Sequence, residues 1–202
     1  MSLFRWPILL ILALTATHAV ADTENRYQEM LQSEAHAQTV RSLGFLMLAL
    51  PHERETVYPQ FERYFWINQV DVEISDSVRE LEASRLADQV DDVEAIVEER
   101  NIDRLELAGF TQVGTIRNLD LFYAADSASG PVMIRASIAF IEDGPPRFHS
   151  FRLFTGWDEV RTATGTIQHK ADRQTASVTY RPNDVAEDEI AEPDQDDEQG
   201  EE

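Results

Sequence analysis

In Val132-Met133-Ile134-Arg135-Ala136-Ser137-Ile138-Ala139-Phe140, the apolar side chains of Val132, Ile134, Ala136, Ile138 and Phe140 alternate with mostly non-aliphatic neighbours such as Arg135 and Ser137. Successive side chains of an extended strand point to opposite faces, so a period of two predicts a strand with one face in a core. Downstream, Asp143-Gly144-Pro145-Pro146 turns the chain. His149, Phe151 and Leu153 then alternate with Ser150 and Arg152 in the next predicted strand. Val113–Ile116 and Leu119–Tyr123 are short strand candidates ahead of the central run, and Asp126–Gly130 reads as a loop. A further hairpin is expected to join Thr166–His169 to Ala176–Tyr180 across Ala171-Asp172-Arg173. Strands linked by turns this tight pair antiparallel, because parallel neighbours need a long crossover.

Upstream, residues 24 to about 100 read as helical. The first helix is expected from Glu24 to near Leu50, where Pro51 stops it, with Val40, Leu43, Met47 and Leu50 at helical spacing. The run Leu43–Leu50 is apolar all round, which predicts deep burial of that end. A second, shorter helix is expected to start at Pro59, a residue that tolerates the first helical position. A third carries the capping-box pattern Ser77-Val78-Arg79-Glu80, followed by Ala83, Leu86, Val90, Val93 and Val97 at spacings of three and four. Helices first and a strand meander second predict an α+β domain, N-terminal helices packed on one face of a C-terminal antiparallel sheet.

The two ends read differently. Arg5, an apolar run from Ile8 to Ala16 and the small-x-small triplet Ala19-Val20-Ala21 form a signal-peptide pattern over residues 1–21. The run is too short to span a bilayer, which takes about 20 apolar residues. The mature chain is therefore expected to start near Asp22 and to work, soluble, in the periplasm or secreted. Residues 183–202 hold eleven acidic and no basic or aromatic residues, so ordering them has nothing to offset its entropy cost, and a disordered acidic tail is expected. Asp194-Gln195-Asp196-Asp197-Glu198 has the opening spacing of a calcium loop, but Gln199 stands where that loop needs glycine. A single domain over 22–182 lies between these ends.

The 202 residues carry a net charge of −21 and no cysteine. Thiol catalysis, thiolate metal sites and thiol redox switching are excluded. The net charge argues firmly against nucleic acid or anionic lipid as a partner, since binding either depends on neutralising phosphates with Lys and Arg. Lys170 is the only lysine among 17 basic residues, which fits either a salty exterior or a coding bias towards arginine.

The strand half, from Gly114-Thr115-Ile116-Arg117-Asn118-Leu119 through Val132–Phe140 to Phe148–Phe154 and Trp157, resembles the sheet of small secreted proteins of the NTF2-like (cystatin-like) superfamily. The resemblance implies N-terminal helices lying in the concavity of a bent antiparallel sheet, often around a cone-shaped pocket. The superfamily includes isomerases, dehydratases, transport factors and binding or accessory domains, so such a fold chooses no function. It transfers no catalytic residue to a position here.

Five aromatic residues, Tyr58, Phe61, Tyr64, Phe65 and Trp66, fall within nine positions. They are candidates to line an apolar or carbohydrate site, although rings at helical spacing also make ordinary core. Arg135 and Arg152 on adjacent strands are candidates to bind an anion through forked hydrogen bonds, or to pair with local acids such as Asp120 or Glu142. His149 is expected to share a strand face with Phe151 and Leu153, as a general base or as a hydrogen-bonded core histidine. Asp158 and Glu159, following Gly156-Trp157 at an expected strand end, are its candidate carboxylate partners or simply a solvated turn. His36 and His52 lack the i,i+4 partner of a helical metal pair, so no metal site and no cofactor is expected. There is no Gly-x-Ser-x-Gly and no Ser-x-x-Lys nucleophile motif. Three functions remain open: a non-enzymatic envelope module contacting a small apolar ligand or an envelope protein; a small-pocket isomerase or hydrolase using His149 with Asp158 or Glu159; and an interaction protein whose acidic tail recruits a basic partner.

Overall fold

A proline inside a helix removes one backbone donor and crowds the carbonyl four residues back, so the helix must end or bend. Here it bends. In the computed structural model, which describes residues 34–70, 73–114, 118–141, 146–171 and 177–181, helix α1 (Glu34–Tyr64) passes through both Pro51 and Pro59. The break comes at Glu53, whose φ of −136° and ψ of 35° leave helical geometry, dividing α1 into arms 34–52 and 54–64. The first arm therefore ends two residues beyond the expected end near Leu50, just past Pro51, and the second arm begins five residues before Pro59. Burial of Val57 and Phe61 carries the chain on as helix past the bend. The signal-peptide segment 1–21, the expected helix start at Glu24, Thr115–Ile116, Asp143–Pro145, Asp172-Arg173 and the acidic tail 183–202 lie outside the described residues.

After a 3₁₀ turn at Trp66–Asn68 comes α2 (Asp76–Glu99). Leu86, Val90, Val93 and Val97 are buried as their spacing predicts, joined by Ile96, whereas Ala83 is exposed. The expected capping box is not formed. The helix begins two residues earlier, after Ser75, and Ser77 already lies within its first turn, its hydroxyl 3.3 Å from that of Ser75.

Four antiparallel strands follow as a meander: β1 (Arg104–Gln112), β2 (Asn118–Ser127), β3 (Gly130–Ala139) and β4 (Arg147–Thr155). The N-terminal helices and C-terminal antiparallel sheet make the protein α+β. Val113, expected in a strand, lies just beyond β1 and is exposed, and the strand instead starts at Arg104. A bulge between Leu107 and Gly109 explains the difference: Leu105, Leu107 and Phe110 all face the core, which breaks the period of two. The expected loop at Asp126–Gly130 shrinks to Ala128-Ser129, with Ser127 pairing directly with Gly130.

Helix α3 (Trp157–Thr164) occupies the stretch read as a turn. The final two strands, β5 (His169–Lys170) and β6 (Ser177–Thr179), do not form a hairpin with each other. Both pair antiparallel with β1, β5 against Gly109–Phe110 and β6 against Arg104–Glu106, so they lie end to end along one edge of the sheet. Sheet order is β4-β3-β2-β1-β5, with β6 also on β1. At the opposite edge, two N–H groups of β4 are taken up by side chains: Phe151 donates to Gln89 Oε1 of α2 and Thr155 to Glu159 Oε2 of α3, each at 2.8 Å. Such acceptors blunt an edge that would otherwise offer itself for strand addition.

The main core lies between α1 and α2 and one sheet face, where Leu119, Leu121, Tyr123, Val132, Ile134, Ala136 and Ile138 are all buried. Burying each large apolar side chain is worth about 1.5–3 kcal/mol. Gly44 lets α1 approach closely, since a Cβ there would sit 3.2 Å from Val178 and 3.3 Å from the Tyr123 ring. The fully buried Tyr123 hydroxyl donates to the Val40 carbonyl at 2.8 Å. Burial alone drives its pKa far above that of an ordinary phenol.

Candidate functional site

The bend in α1 leaves a cleft between its arms. The first arm presents Gln38, Ser42 and Leu46 to it, positions that share a helix face. Its other face, with Val40, Leu43, Met47 and Leu50, packs in the core. The second arm supplies Gln60, Phe61 and Tyr64, while Ile138 and Phe148 close the cleft from the sheet. The inner compartment has a volume of about 270 Å³. Leu43, Leu46, Phe61, Ile138 and Phe148 make its surface mainly apolar, and Gln38, Ser42, Gln60 and Tyr64 give it a neutral polar rim. An outer groove of about 730 Å³ shares Gln38, Ser42, Leu46, Gln60 and Tyr64 with it and is bordered by Arg41, Phe45, Glu53, Thr56 and Val178.

Three contacts set the angle between the arms. Arg54, at the start of the second arm, pairs with Asp91 and Glu94 of α2. Glu53, the residue at the bend, accepts a 2.6 Å hydrogen bond from the Tyr180 hydroxyl. The Tyr180 ring stacks on His52, centroids 5.1 Å apart, and tilts against Phe45. Desolvation and the hydrogen-bonded carboxylate of Glu53 push the Tyr180 phenol up to about 12.

The five clustered aromatics do not act as one surface. Phe61 and Phe65 are buried and join Phe148 and Phe151 in a core cluster with ring centroids 4.4–6.2 Å apart. Phe61 also shows a face to the cleft, beside half-buried Tyr64. Tyr58 lies under the Arg54 guanidinium at 5.5 Å, and its phenol is raised by desolvation and then by nearby Glu62. Trp66 stacks on His149 at 6.0 Å. Of the five, Phe61 and Tyr64 line the cleft. Gln38, Ser42, Leu46, Gln60 and Phe148 are not singled out by the sequence, and Leu43 and Ile138 read there only as core positions. Phe45 and Leu46 carried the signal that could have found it: both lie in the all-apolar run Leu43–Leu50, yet both stay half-buried against the cleft.

His149 does not share the inward face with Phe151 and Leu153. A bulge opposite Ser137 and Ile138 makes it the extra residue of β4, so Phe148 turns inward in its place. Partial burial, helped by Arg147, lowers the His149 pKa, which favours neutral imidazole. Asp158 and Glu159 belong not to a strand end but to the first turn of α3. Asp158 pairs with Arg161 at 2.8 Å, and Glu159 accepts from Thr155 N. His149 and Thr155 are six positions apart along β4, about 20 Å at the rise of a strand, so the histidine and the two carboxylates are not brought together. His149 and His169 lie on opposite edge strands, about four inter-strand spacings apart.

Arg135 and Arg152 do face one another, as direct cross-strand partners on β3 and β4. They lie on the sheet face away from α1 and α2. Asp120 accepts from Ser137 at 2.5 Å and pairs with Arg135 at 3.4 Å, while Arg152 lies over the Phe154 ring at 5.2 Å. Arg135 thus has the local acid partner that one of its two expected readings gave it, Asp120.

Among the described residues, no group of three His, Asp or Glu is placed to hold a metal ion, and no helix is long and apolar enough to cross a membrane. Comparison with protein-family models, with curated proteins and with solved structures returned no match.

Proposed function

We propose that this protein is an exported binding module of the cell envelope whose cleft takes an apolar ligand. The observation that carries this reading is the cleft itself: an inner compartment of about 270 Å³ with an apolar wall and a rim of neutral hydrogen-bonding groups. Such a mixture is what small-ligand sites use, apolar contact for affinity and a few polar groups for orientation. The residues expected to do acid–base work lie elsewhere, each engaged with its own neighbours. Export rests on the signal-peptide pattern of residues 1–21, and the acidic end 183–202 is a solvated tail on this reading. The NTF2-like resemblance remains part of the proposal, supported by helices packed on one face of an antiparallel meander.

Fluorescence enhancement of N-phenyl-1-naphthylamine, a neutral apolar probe, tests the cleft. The wild-type chain is expected to bind it saturably. Leu46→Asp places a charge on the cleft wall from a half-buried helix position and is expected to weaken binding at least about tenfold with the far-UV circular dichroism unchanged. Equal binding by a folded variant rejects the cleft as the site.

A further inference from the structure

The outer groove gives the cleft a polarity of charge that its inner compartment lacks. Arg41 lines this groove, one helical step from Gln38, Ser42 and Phe45. It is exposed and joins no ion pair or hydrogen bond among the described residues. That is notable in a chain with 38 acidic residues against 17 basic ones, where carboxylate partners are plentiful. Glu53, the acid bordering the same groove, has an oxygen occupied by the Tyr180 hydroxyl. Among the described residues the groove therefore holds one cation without an ion-pair partner, Arg41, beside the acid Glu53, and Gln38, Ser42 and Gln60 add neutral donors to the same lining.

Resting on the cleft reading above, we infer that the ligand is a single alkyl chain with an anionic head group, its chain against Leu43, Leu46, Phe61, Ile138 and Phe148 and its head on Arg41. Two features fit this occupant. The compartments share Gln38, Ser42, Leu46, Gln60 and Tyr64, which places them side by side within the reach of one elongated molecule. A protein of net charge −21 repels anions at long range, so capture of one needs a local cation, and guanidinium pairs with carboxylate and phosphate through two parallel hydrogen bonds.

Calorimetric titration of the exported chain with four dodecyl amphiphiles, each below its critical micelle concentration, tests the assignment. They are dodecanoate, dodecyl phosphate, dodecyltrimethylammonium and the uncharged dodecyl maltoside. At least one of the two anions is expected to bind about tenfold more tightly than the uncharged and cationic chains, the scale of one charge-assisted contact. Preference for dodecanoate identifies a free fatty acid, and preference for dodecyl phosphate a phospholipid-type head. Arg41→Gln is expected to bring the anions down to the level of the uncharged chain, and Arg41→Lys to keep most of the difference. Chains that bind without regard to charge, or best when cationic, overturn the head-group assignment and leave the apolar cleft standing. Failure of all four to bind overturns both.

Discussion

The two faces of the sheet are built to different depths. On one, α1 and α2 cover a continuous core that runs from Val40 to Tyr180 and takes in most of the buried side chains of β1 to β4. On the other, α3 covers only one end, and its cluster centres on Phe122, Met133 and Ala163, with Val160, Phe154 and Ile167 around them. Beyond the reach of α3 that face turns polar, with Arg135, Arg152, Asp120 and Ser137 side by side. Two arginines directly opposite one another repel, and the exposure of Arg152 together with an acid 3.4 Å from half-buried Arg135 tempers that repulsion. Depth also locates the cleft. Only a thick layer holds a helix long enough to bend and leave space between its halves.

Gly109 offers the severest test of this contrast. A Cβ there would lie 2.3 Å from the His169 carbonyl oxygen and 2.4 Å from Ile167 Cγ2, so the chain leaving α3 presses directly on the β1 bulge. Gly109→Val is expected to lower stability by about 4 kcal/mol in urea unfolding. A loss below about 1 kcal/mol would mean that the thin face yields freely and that β5 is not held against β1. Next in size come two neighbours pointing to opposite faces. Ile134→Ala, in the deep core, is expected to cost about 3–4 kcal/mol, and Met133→Ala, under α3, about 2 kcal/mol, because a short helix settles into the space more readily. Equal losses would erase the distinction between the faces.

Tyr180→Phe is the gentlest probe, and it concerns the bend. Removing the hydroxyl that donates to Glu53 is expected to cost about 1 kcal/mol at pH 8. The phenol pKa is raised in the fold to about 12 from an ordinary value of 10.0, so its stabilising contribution is whole below 10 and fades as pH rises through 12. Urea midpoints of wild type and variant should therefore differ at pH 8, draw together above pH 10 and cross before pH 12. A constant gap across that range would separate the tyrosine's contribution from its titration.

What could be read in the sequence was what depended on undisturbed periodicity. The alternation from Val132 to Phe140 lies in β3 and its continuation, and Leu86, Val90, Val93 and Val97 do form the buried stripe of a helix. The misreadings fall where one residue disturbs the period. Bulges at Leu107/Gly109 and at His149 shift which side chains face inward, hiding most of β1 and misplacing His149. Pro51 marked the end of the first arm to within two residues, whereas the resumption of helix before Pro59 was not legible and rests on the burial of Val57 and Phe61. The strands β5 and β6 are two and three residues long, and their partner is a strand far back in the chain, so no local pattern could assign it. The cleft was half legible. Its aromatic wall lay in the cluster Tyr58–Trp66, but its opposite wall comes from residues some twenty positions earlier, joined to it only by the bend.

The tie between Glu53 and Tyr180 spans 127 residues. Contacts of such separation are among the last a chain makes, because the loop between them must close before they return anything. A partly folded chain that has already made both arms of α1 still lacks the contact that holds their angle. The two arms of the cleft are thus neighbours in sequence, yet the residue that holds their angle reaches them only when β6 docks beside β1.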